Sequence, residues 1–177
     1  GNEINTTIDY NSENALFRIK YTQYPFLSNS IKNSYLVFNE ENDLTNSYGY
    51  KVQNQGIGYS FGFDYSKNLN LNLGFEYSNL RGHSASNQNN FVTDNIGNFQ
   101  NIIFEFGINY DTTNDFLYPT NGIKNNLSIE FSPNEISDDN YIKSTISNSI
   151  FYEQTNQDFL FLINNLGYAD SFSGNLK

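Results

Sequence analysis

The feature that most constrains this sequence is the alternation of apolar and polar side chains across residues 99–131, which a single turn interrupts. In the first half, apolar side chains occupy every second position, namely Ile102, Phe104, Phe106, Ile108 and Tyr110. In the second half they recur at Ile123, Leu127, Ile129 and Phe131, and Asn125 is the one polar residue among them. Because a β-strand sends alternate side chains to opposite faces, this pattern predicts two strands, each with an apolar and a polar face.

The same alternation recurs along most of the chain. It is clean over residues 57–65 and 69–77, which read as a hairpin around a short turn at residues 66–68. We count roughly nine such runs, each long enough to cross a bilayer when tilted, for which ~9–11 residues suffice. The mean hydropathy of −0.59 does not contradict this, because a barrel presents only alternate residues to lipid. The sequence therefore predicts an all-β fold: part of an antiparallel up-and-down transmembrane β-barrel.

The apolar positions of these strands are expected to face lipid. They are Phe61, Phe63, Leu71, Leu73, Phe75, Phe104, Phe106, Ile108, Leu127 and Ile129. Intervening polar residues such as Asn70, Asn72 and Glu105 are expected to face the lumen of the barrel. A soluble sandwich with one buried face, or a β-solenoid, would use the same alternation and is the alternative fold.

The connections between strands differ in character at the two ends of the predicted barrel. Short or Pro- and aromatic-containing turns are expected on the periplasmic side, near Asn68 and Asn156, and polar loops on the cell surface, near Ser86 and Asn134. Aromatic residues collect at the predicted periplasmic end, where a ring can lie half in lipid and half in water. This aromatic girdle consists of Tyr21, Tyr65, Tyr110, Phe116, Tyr118 and Tyr152.

The turn at residues 111–122 carries a motif. Pro119 fixes φ and has no N–H to donate, so it is expected outside a strand ladder, and Gly122 supplies a permissive backbone where the next strand begins. The residues Tyr110, Asp111, Thr112, Tyr118, Pro119, Thr120 and Gly122 resemble the Y-D-T-R-D-x-x-x-F-P-T-x-G periplasmic turn of the Omp85, or bacterial surface antigen, family. Thr113 departs from that pattern, because relatives commonly carry Arg there.

Two further stretches are similar to the same family. Residues 166–170, Leu-Gly-Tyr-Ala-Asp, look like the end of the strand that leads into the family's long sixth loop, and residues 24–26 look like an N-P-Y-F-like turn. The resemblance implies that residues 1–177 are part of one C-terminal outer-membrane barrel domain of about 16 strands, ending at the start of the sixth loop. A chain that begins with Gly and contains no Met is then expected to be an internal piece of a longer protein.

The resemblance also implies a function. It is nearest to the assembly factors of the family, which insert and fold other β-barrel proteins in the outer membrane of Gram-negative bacteria without covalent chemistry. The implied partners are outer-membrane lipids, unfolded outer-membrane protein clients and accessory assembly lipoproteins. The alternatives are a two-partner-secretion or translocation pore of the same family and a passive porin or solute channel.

Composition and candidate side chains exclude several other functions. A net charge of −10 argues against nucleic acid as a partner, because phosphate binding needs a basic face. The chain has no Cys, and its single histidine, His83, has no nucleophile or carboxylate at a spacing that would indicate a catalytic triad. Asp138 and Asp139 lack the spacing of a calcium loop and are expected to be solvated. We therefore predict no catalytic residues, no metal site and no cofactor.

Overall fold

The computed structural model of the chain describes residues 2–24, 31–84, 97–115, 117–155 and 158–172. Nine strands follow one another along the chain. They are β1 (Glu3–Tyr10), β2 (Asn14–Gln23), β3 (Ile31–Leu44), β4 (Tyr50–Ser66), β5 (Leu69–Ser84), β6 (Gly97–Asp111), β7 (Gly122–Ser132), β8 (Tyr141–Thr155) and β9 (Asp158–Ser171). A single helical turn, α1 (Thr45–Tyr48), joins β3 to β4. In the parts of the chain that the structure describes, no helix is long and apolar enough to cross a membrane.

All nine strands form one sheet in which spatial order equals sequence order. Every neighbouring pair is antiparallel, and β1 and β9 are its two edges. This confirms the predicted fold class: the chain is part of an antiparallel up-and-down β-barrel, and the sheet is not closed on itself. We call the end that carries residues 67–68 and 112–121 the turn end, and the end that carries residues 45–49 and 133–140 the loop end.

The strand register places all the residues predicted to face lipid on one face of the sheet, which we call the apolar face. One row of direct cross-strand partners runs Phe63–Leu71–Ile108–Leu127 and continues to Ile146 on β8. The next row runs through Phe61, Leu73, Phe106 and Ile129, and the one beyond it through Phe75 and Phe104. The opposite, polar face carries the predicted lumen residues Asn70, Asn72 and Glu105.

The apolar face ends along one register row of β4, β5 and β6. Its last apolar row consists of Ile57, Tyr77 and Ile102, which are direct cross-strand partners. The next row toward the loop end is polar and consists of Gln55, Asn79 and Gln100. On β4 the apolar side chains therefore span residues 57–65, which matches the length of a tilted strand that crosses a bilayer.

The apolar side chains are exposed rather than packed into a core. Among the described residues, Phe38 is the buried large hydrophobic side chain, with 4% of its surface exposed. Ile57, Leu73 and Phe104, by contrast, expose 56%, 55% and 42% of their surfaces. A soluble sheet would cover such a contiguous apolar surface, so its exposure here argues against the sandwich alternative and fits a face turned toward lipid.

Phe38 lies on the polar face and fills the space above a glycine. A Cβ built on Gly56 would approach the Phe38 ring to 2.6 Å and the Tyr77 carbonyl oxygen to 2.5 Å. The Arg18 guanidinium lies 5.8 Å from the centre of the same ring and donates a hydrogen bond of 2.5 Å to Glu40. Glycine at position 56 is thus required by a close approach between neighbouring strands.

Two strands extend further toward the loop end than the sequence predicted. The alternation of apolar and polar residues stops before Asn39 and before Asn79, yet β3 continues to Leu44 and β5 continues through His83 to Ser84. Beyond the apolar band both faces meet water, so the alternation disappears while the backbone ladder continues. The helical turn α1 was also not predicted. Ser86 and Asn156 lie outside the described residues, whereas Asn68 and Asn134 lie at opposite ends of the sheet.

The segment 133–140, expected to be a solvated acidic loop, packs against β6. The shorter β7 pairs with β6 only as far as Phe131, which leaves the loop-end part of β6 without a strand partner on that side. The loop takes that place: the Asp138 N–H donates to the Gln100 carbonyl (2.9 Å), and the Ile102 N–H donates to the Ser137 hydroxyl (2.9 Å). Asp138 is exposed, as expected of a solvated loop, whereas Ser137 and Asn140 are buried. The segment is thus a loop that also completes the hydrogen bonding of a neighbouring strand.

Candidate functional site

The turn between β6 and β7 begins with two side chains that fix its backbone. The Asp111 Oδ1 atom accepts the Thr113 N–H (2.9 Å) and the Thr113 hydroxyl (2.6 Å). The Thr112 hydroxyl accepts the Ile123 N–H (3.0 Å) and donates to the Ile123 carbonyl (3.2 Å), which also accepts the Thr112 N–H (2.9 Å). These are the local side-chain-to-backbone bonds that Asp and Thr form in turns.

The middle of the turn is closed by Asn114. Its Oδ1 atom accepts the N–H groups of Thr120 and Asn121 at 3.0 Å each, and its amide nitrogen donates to the Thr120 hydroxyl at 2.9 Å. Pro119 and Tyr118 lie between these partners and outside both strands, as predicted. The turn is therefore held by its own hydrogen bonds over its whole described length. Phe116, which was assigned to the aromatic girdle, lies outside the described residues.

Asp115 fixes the tip of the turn. Its Oδ1 atom accepts the N–H groups of Leu117 and Tyr118, at 2.8 Å each. These bonds favour the ionised carboxylate, and the Tyr118 N–H followed by the Leu117 N–H lowers the pKa of Asp115 below its ordinary value of 3.8. The side chains of Leu117 and Tyr118 are held outward, with 73% and 82% of their surfaces exposed.

Gly122, where β7 begins, has a backbone that only glycine adopts readily. Its φ is +116°, and a Cβ at this position would approach the Thr112 carbonyl oxygen to 2.5 Å and the Thr113 Cα to 2.7 Å. Both contacts are to backbone atoms that the turn holds in place. The prediction that Gly122 meets a conformational requirement at the start of the strand is confirmed.

Thr113 stands where the family pattern commonly has Arg, and two groups supply Asp111 with polar partners instead. One is the hydroxyl of Thr113 itself. The other is the ammonium of Lys124, the cross-strand partner of Asp111, whose Nζ lies 3.6 Å from Asp111 Oδ2. Both side chains of this pair are more than a third exposed, so it adds little free energy of folding.

Hydrogen bonds also join the turn to both neighbouring hairpins. The Asp111 N–H donates to the Asn68 carbonyl (2.9 Å) in the β4–β5 turn. The Thr120 hydroxyl donates to Glu153 (3.1 Å) on β8. The motif therefore connects three consecutive hairpins along the turn end of the sheet.

The remaining girdle tyrosines lie on the apolar face, toward the turn end of their strands. Tyr65, Tyr110 and Tyr152 occupy the last positions of this face on β4, β6 and β8, and Tyr21 lies near the end of β2. The sequence analysis missed two tyrosines beside Tyr21. The rings of Tyr21 and Tyr35 are 6.2 Å apart and those of Tyr35 and Tyr59 are 5.3 Å apart, so the three form a cluster across β2, β3 and β4. Cross-strand register, which needs the structure, is what brings them together.

The polar face concentrates carboxylates in the middle of the sheet. Glu105 and Glu130 are direct cross-strand partners, and Lys143 donates to Glu130 at 2.9 Å from the next strand. Glu76 lies on the same face of β5, where its direct partner on β6 is Ile103. Among the described residues, no group of three or more His, Asp or Glu side chains is placed to hold a metal ion. His83 lies exposed near the end of β5, and Tyr168 of the predicted strand end donates to Asp170 (3.0 Å) within β9.

Comparison with known proteins gives the family. The Omp85 superfamily domain matches residues 1–176. A crystal structure of BamA from Haemophilus ducreyi, lacking POTRA domains 1–3, is similar with a TM-score of 0.78 and 20% sequence identity. The match covers 99% of this chain and 37% of the crystallised one, so this chain spans little more than a third of that chain's length. At this identity the likeness shows the fold. No curated protein matches the chain. Because the domain matches nearly the whole sequence, the chain belongs to the Omp85 superfamily.

Proposed function

We propose that this chain is the membrane-embedded wall of an outer-membrane protein that inserts and assembles other β-barrel proteins. The observation that carries the proposal is the hydrogen-bonded turn at residues 111–122, whose sequence resembles the periplasmic turn of the family. The proposal goes beyond family membership, because Omp85 proteins also include secretion pores. It assigns no covalent step to this chain.

The apolar face is assigned to contact with lipid. Its side chains are exposed, its band on β4 is nine residues long, from Ile57 to Tyr65, and it ends sharply at the polar row containing Gln55. Since lipid offers no hydrogen bonds, only a sheet with its strands fully paired is stable there. Each strand from β2 to β8 has a partner strand on both sides. Residues 133–140 cover the loop-end part of β6, which β7 does not reach.

This pairing also limits where a client could be templated. An incoming strand needs a free row of backbone N–H and C=O groups, and interior strands do not offer one within the apolar band. We therefore assign the templating edge to another part of the parent barrel. We assign to this chain the paired wall that maintains the shape of the barrel. Its turn end is assigned to the periplasmic side.

The orientation can be tested with two single cysteines in the full-length protein, which lend themselves to labelling because the sequence contains no native Cys in this region. Lys67 lies exposed in the β4–β5 turn, and Glu135 lies exposed in the loop at the opposite end. A membrane-impermeant thiol reagent applied to intact cells should label Glu135→Cys and leave Lys67→Cys unlabelled until the outer membrane is opened. The reverse result would refute the assignment of the turn end to the periplasm.

Function is tested by depleting the parent protein and quantifying outer-membrane proteins. If the parent is an assembly factor, its depletion should lower the levels of many unrelated β-barrel proteins together. It should also lower the ability of the accessory lipoproteins to recruit clients. Loss of a single exported protein would indicate a partner-secretion pore. Reduced uptake of small solutes with normal levels of other barrels would indicate a porin. Either of these two outcomes would overturn the proposed function.

A further inference from the structure

One edge of β6 is covered by side chains instead of a strand. β5 pairs with β6 as far as Gly97, whereas β7 pairs with β6 only between Phe104 and Asp111. Residues 97–103 of β6 therefore extend beyond β7 toward the loop end. Pro133 directly follows the last residue of β7 and has no N–H to donate, which explains why β7 does not continue beside β6.

Residues 133–140, which we call the edge cap, take the place of the missing strand with two side chains. The Ser137 hydroxyl accepts the Ile102 N–H (2.9 Å) and donates to the Ile102 carbonyl (3.1 Å). The Asp138 N–H donates to the Gln100 carbonyl (2.9 Å), and the Asp138 carboxylate accepts the Gln100 N–H (2.6 Å). Both backbone groups of each β6 residue are thus bonded, as they would be by the opposite residue of an antiparallel strand.

The bonded positions are those that an added strand would use. In an antiparallel sheet, every second residue of a strand directs both backbone groups to the same neighbour. On β6, Gln100 and Ile102 direct theirs away from β5 and toward the edge cap. The space that the edge cap fills is one strand wide and lies in line with β7, because β8 lies on the far side of β7.

The edge cap satisfies the backbone of β6 better than it satisfies its own polar groups. Two of its buried oxygens, Asp139 Oδ1 and Asn140 Oδ1, have no hydrogen-bond donor among the described residues. A buried acceptor without a donor raises the free energy of the state that contains it. Release of the edge cap would return these oxygens to water, so replacing the cap by a strand removes a cost that the closed edge carries.

We propose that the loop-end edge of β6 is a docking site for an extended peptide segment of another chain, and that the edge cap closes this site. The segment pairs with β6 through its backbone, with an apolar side chain opposite Ile102 and a polar one opposite Gln100, as in the rows that β5 forms on the other side. While closed, the cap protects a strand edge from such pairing. The proposal is independent of the proposed function, because a secretion pore or a porin would carry the same capped edge.

The probe is a synthetic peptide with the sequence of residues 75–84, because this β5 segment already pairs with the other edge of β6. The peptide carries Asn79→Cys, at the position that faces Gln100 on β5, and the full-length protein carries Gln100→Cys. The Gln100 side chain is exposed and the edge cap bonds its backbone groups, so this cysteine keeps those bonds. Paired residues have Cα atoms ~5.5 Å apart, which a disulfide can span.

The rate of disulfide trapping in liposomes is compared for three forms of the Gln100→Cys protein. One has an intact edge cap, one is S137A/D138A, and the matched control is Glu135→Ala, at an exposed position of the same segment. S137A/D138A should trap the peptide about tenfold or more faster than the other two, because it loses three hydrogen bonds to β6. Its amides at residues 98–102 should also exchange hydrogen faster, and added peptide should slow that exchange again.

Each outcome decides the proposal. Equal trapping rates in the three proteins would overturn it, because Ser137 and Asp138 would then not close the edge. Equally fast trapping of a scrambled peptide by S137A/D138A would show only a more accessible cysteine and would overturn it too. If S137A/D138A loses its heat-modifiable barrel mobility, Ser137→Ala and Asp138→Ala are measured singly: intermediate rates support the docking edge, whereas unchanged rates or loss of the barrel in both show a purely structural loop. A failure here leaves the depletion test of the proposed function unaffected.

Discussion

Replacing Gly122 by alanine tests whether the turn at residues 111–122 is fixed by its backbone. The substitution adds one methyl group, yet it places a Cβ 2.5 Å from the Thr112 carbonyl oxygen and 2.7 Å from the Thr113 Cα, at a φ of +116°. Neither contact can be relieved by rotating a side chain. The turn must therefore move, or β7 must begin with a different backbone conformation.

The size of the effect follows from these contacts. Holding a non-glycine residue in such a backbone conformation costs about 1–3 kcal/mol. If the turn moves instead, the bonds between Thr112 and Ile123 are strained or lost, and each contributes about 1 kcal/mol. We therefore expect Gly122→Ala to lower the free energy of unfolding by about 1–3 kcal/mol. Gly122→Val should cost more, because its branched Cβ meets the same atoms.

The matched control is Gly107→Ala on β6. A Cβ there would find Asn72 Cβ at 3.5 Å as its nearest neighbour, which is an ordinary contact, and no positive φ is required. We expect a change within about 1 kcal/mol for this variant. Both variants of the full-length protein are refolded into lipid vesicles and titrated with urea, and barrel content is read from heat-modifiable mobility. Equal midpoints for Gly122→Ala and wild type would refute the argument that backbone geometry fixes this turn.

Two further predictions concern the same sheet. The Tyr118 N–H lowers the pKa of Asp115, so the stability that this carboxylate gives the turn is present above pH ~4, its unfolded pKa, and is lost as the pH falls through its lower folded pKa. Protease cleavage at the turn should therefore rise on acidification in the wild type but not in Asp115→Asn. Identical pH profiles of the two proteins would contradict this. Phe106→Arg on the apolar face should cost ~2–4 kcal/mol in a bilayer refolding titration and Asn72→Arg on the polar face much less, and equal costs would contradict the assignment of the faces.

The sequence was informative where one face of a strand is apolar. The alternation around Phe104 located β6, and Pro119 and Gly122 located the turn, because each of these is a local requirement of the backbone or of one face. The extension of β3 to Leu44 was not predictable in this way, since both faces there are polar and only backbone pairing continues. The row formed by Asn125, Asn148 and Asn164 was also not predictable, because residues that are far apart in sequence become neighbours only through the strand register.

Because β7 is short, only part of the loop that follows it can accept inserted residues. Surface loops ordinarily accept added residues, because nothing depends on their length. Here Ser137 and Asp138 must reach the backbone of β6 while the Ser132 hydroxyl donates to the Asp139 carbonyl (2.5 Å), so the path from Ser137 to Asp139 has a fixed length. The turn just before it is exposed at Glu135. A foreign peptide displayed on this surface should therefore be accepted after Glu135 and rejected after Ser137, although the two sites lie only two residues apart.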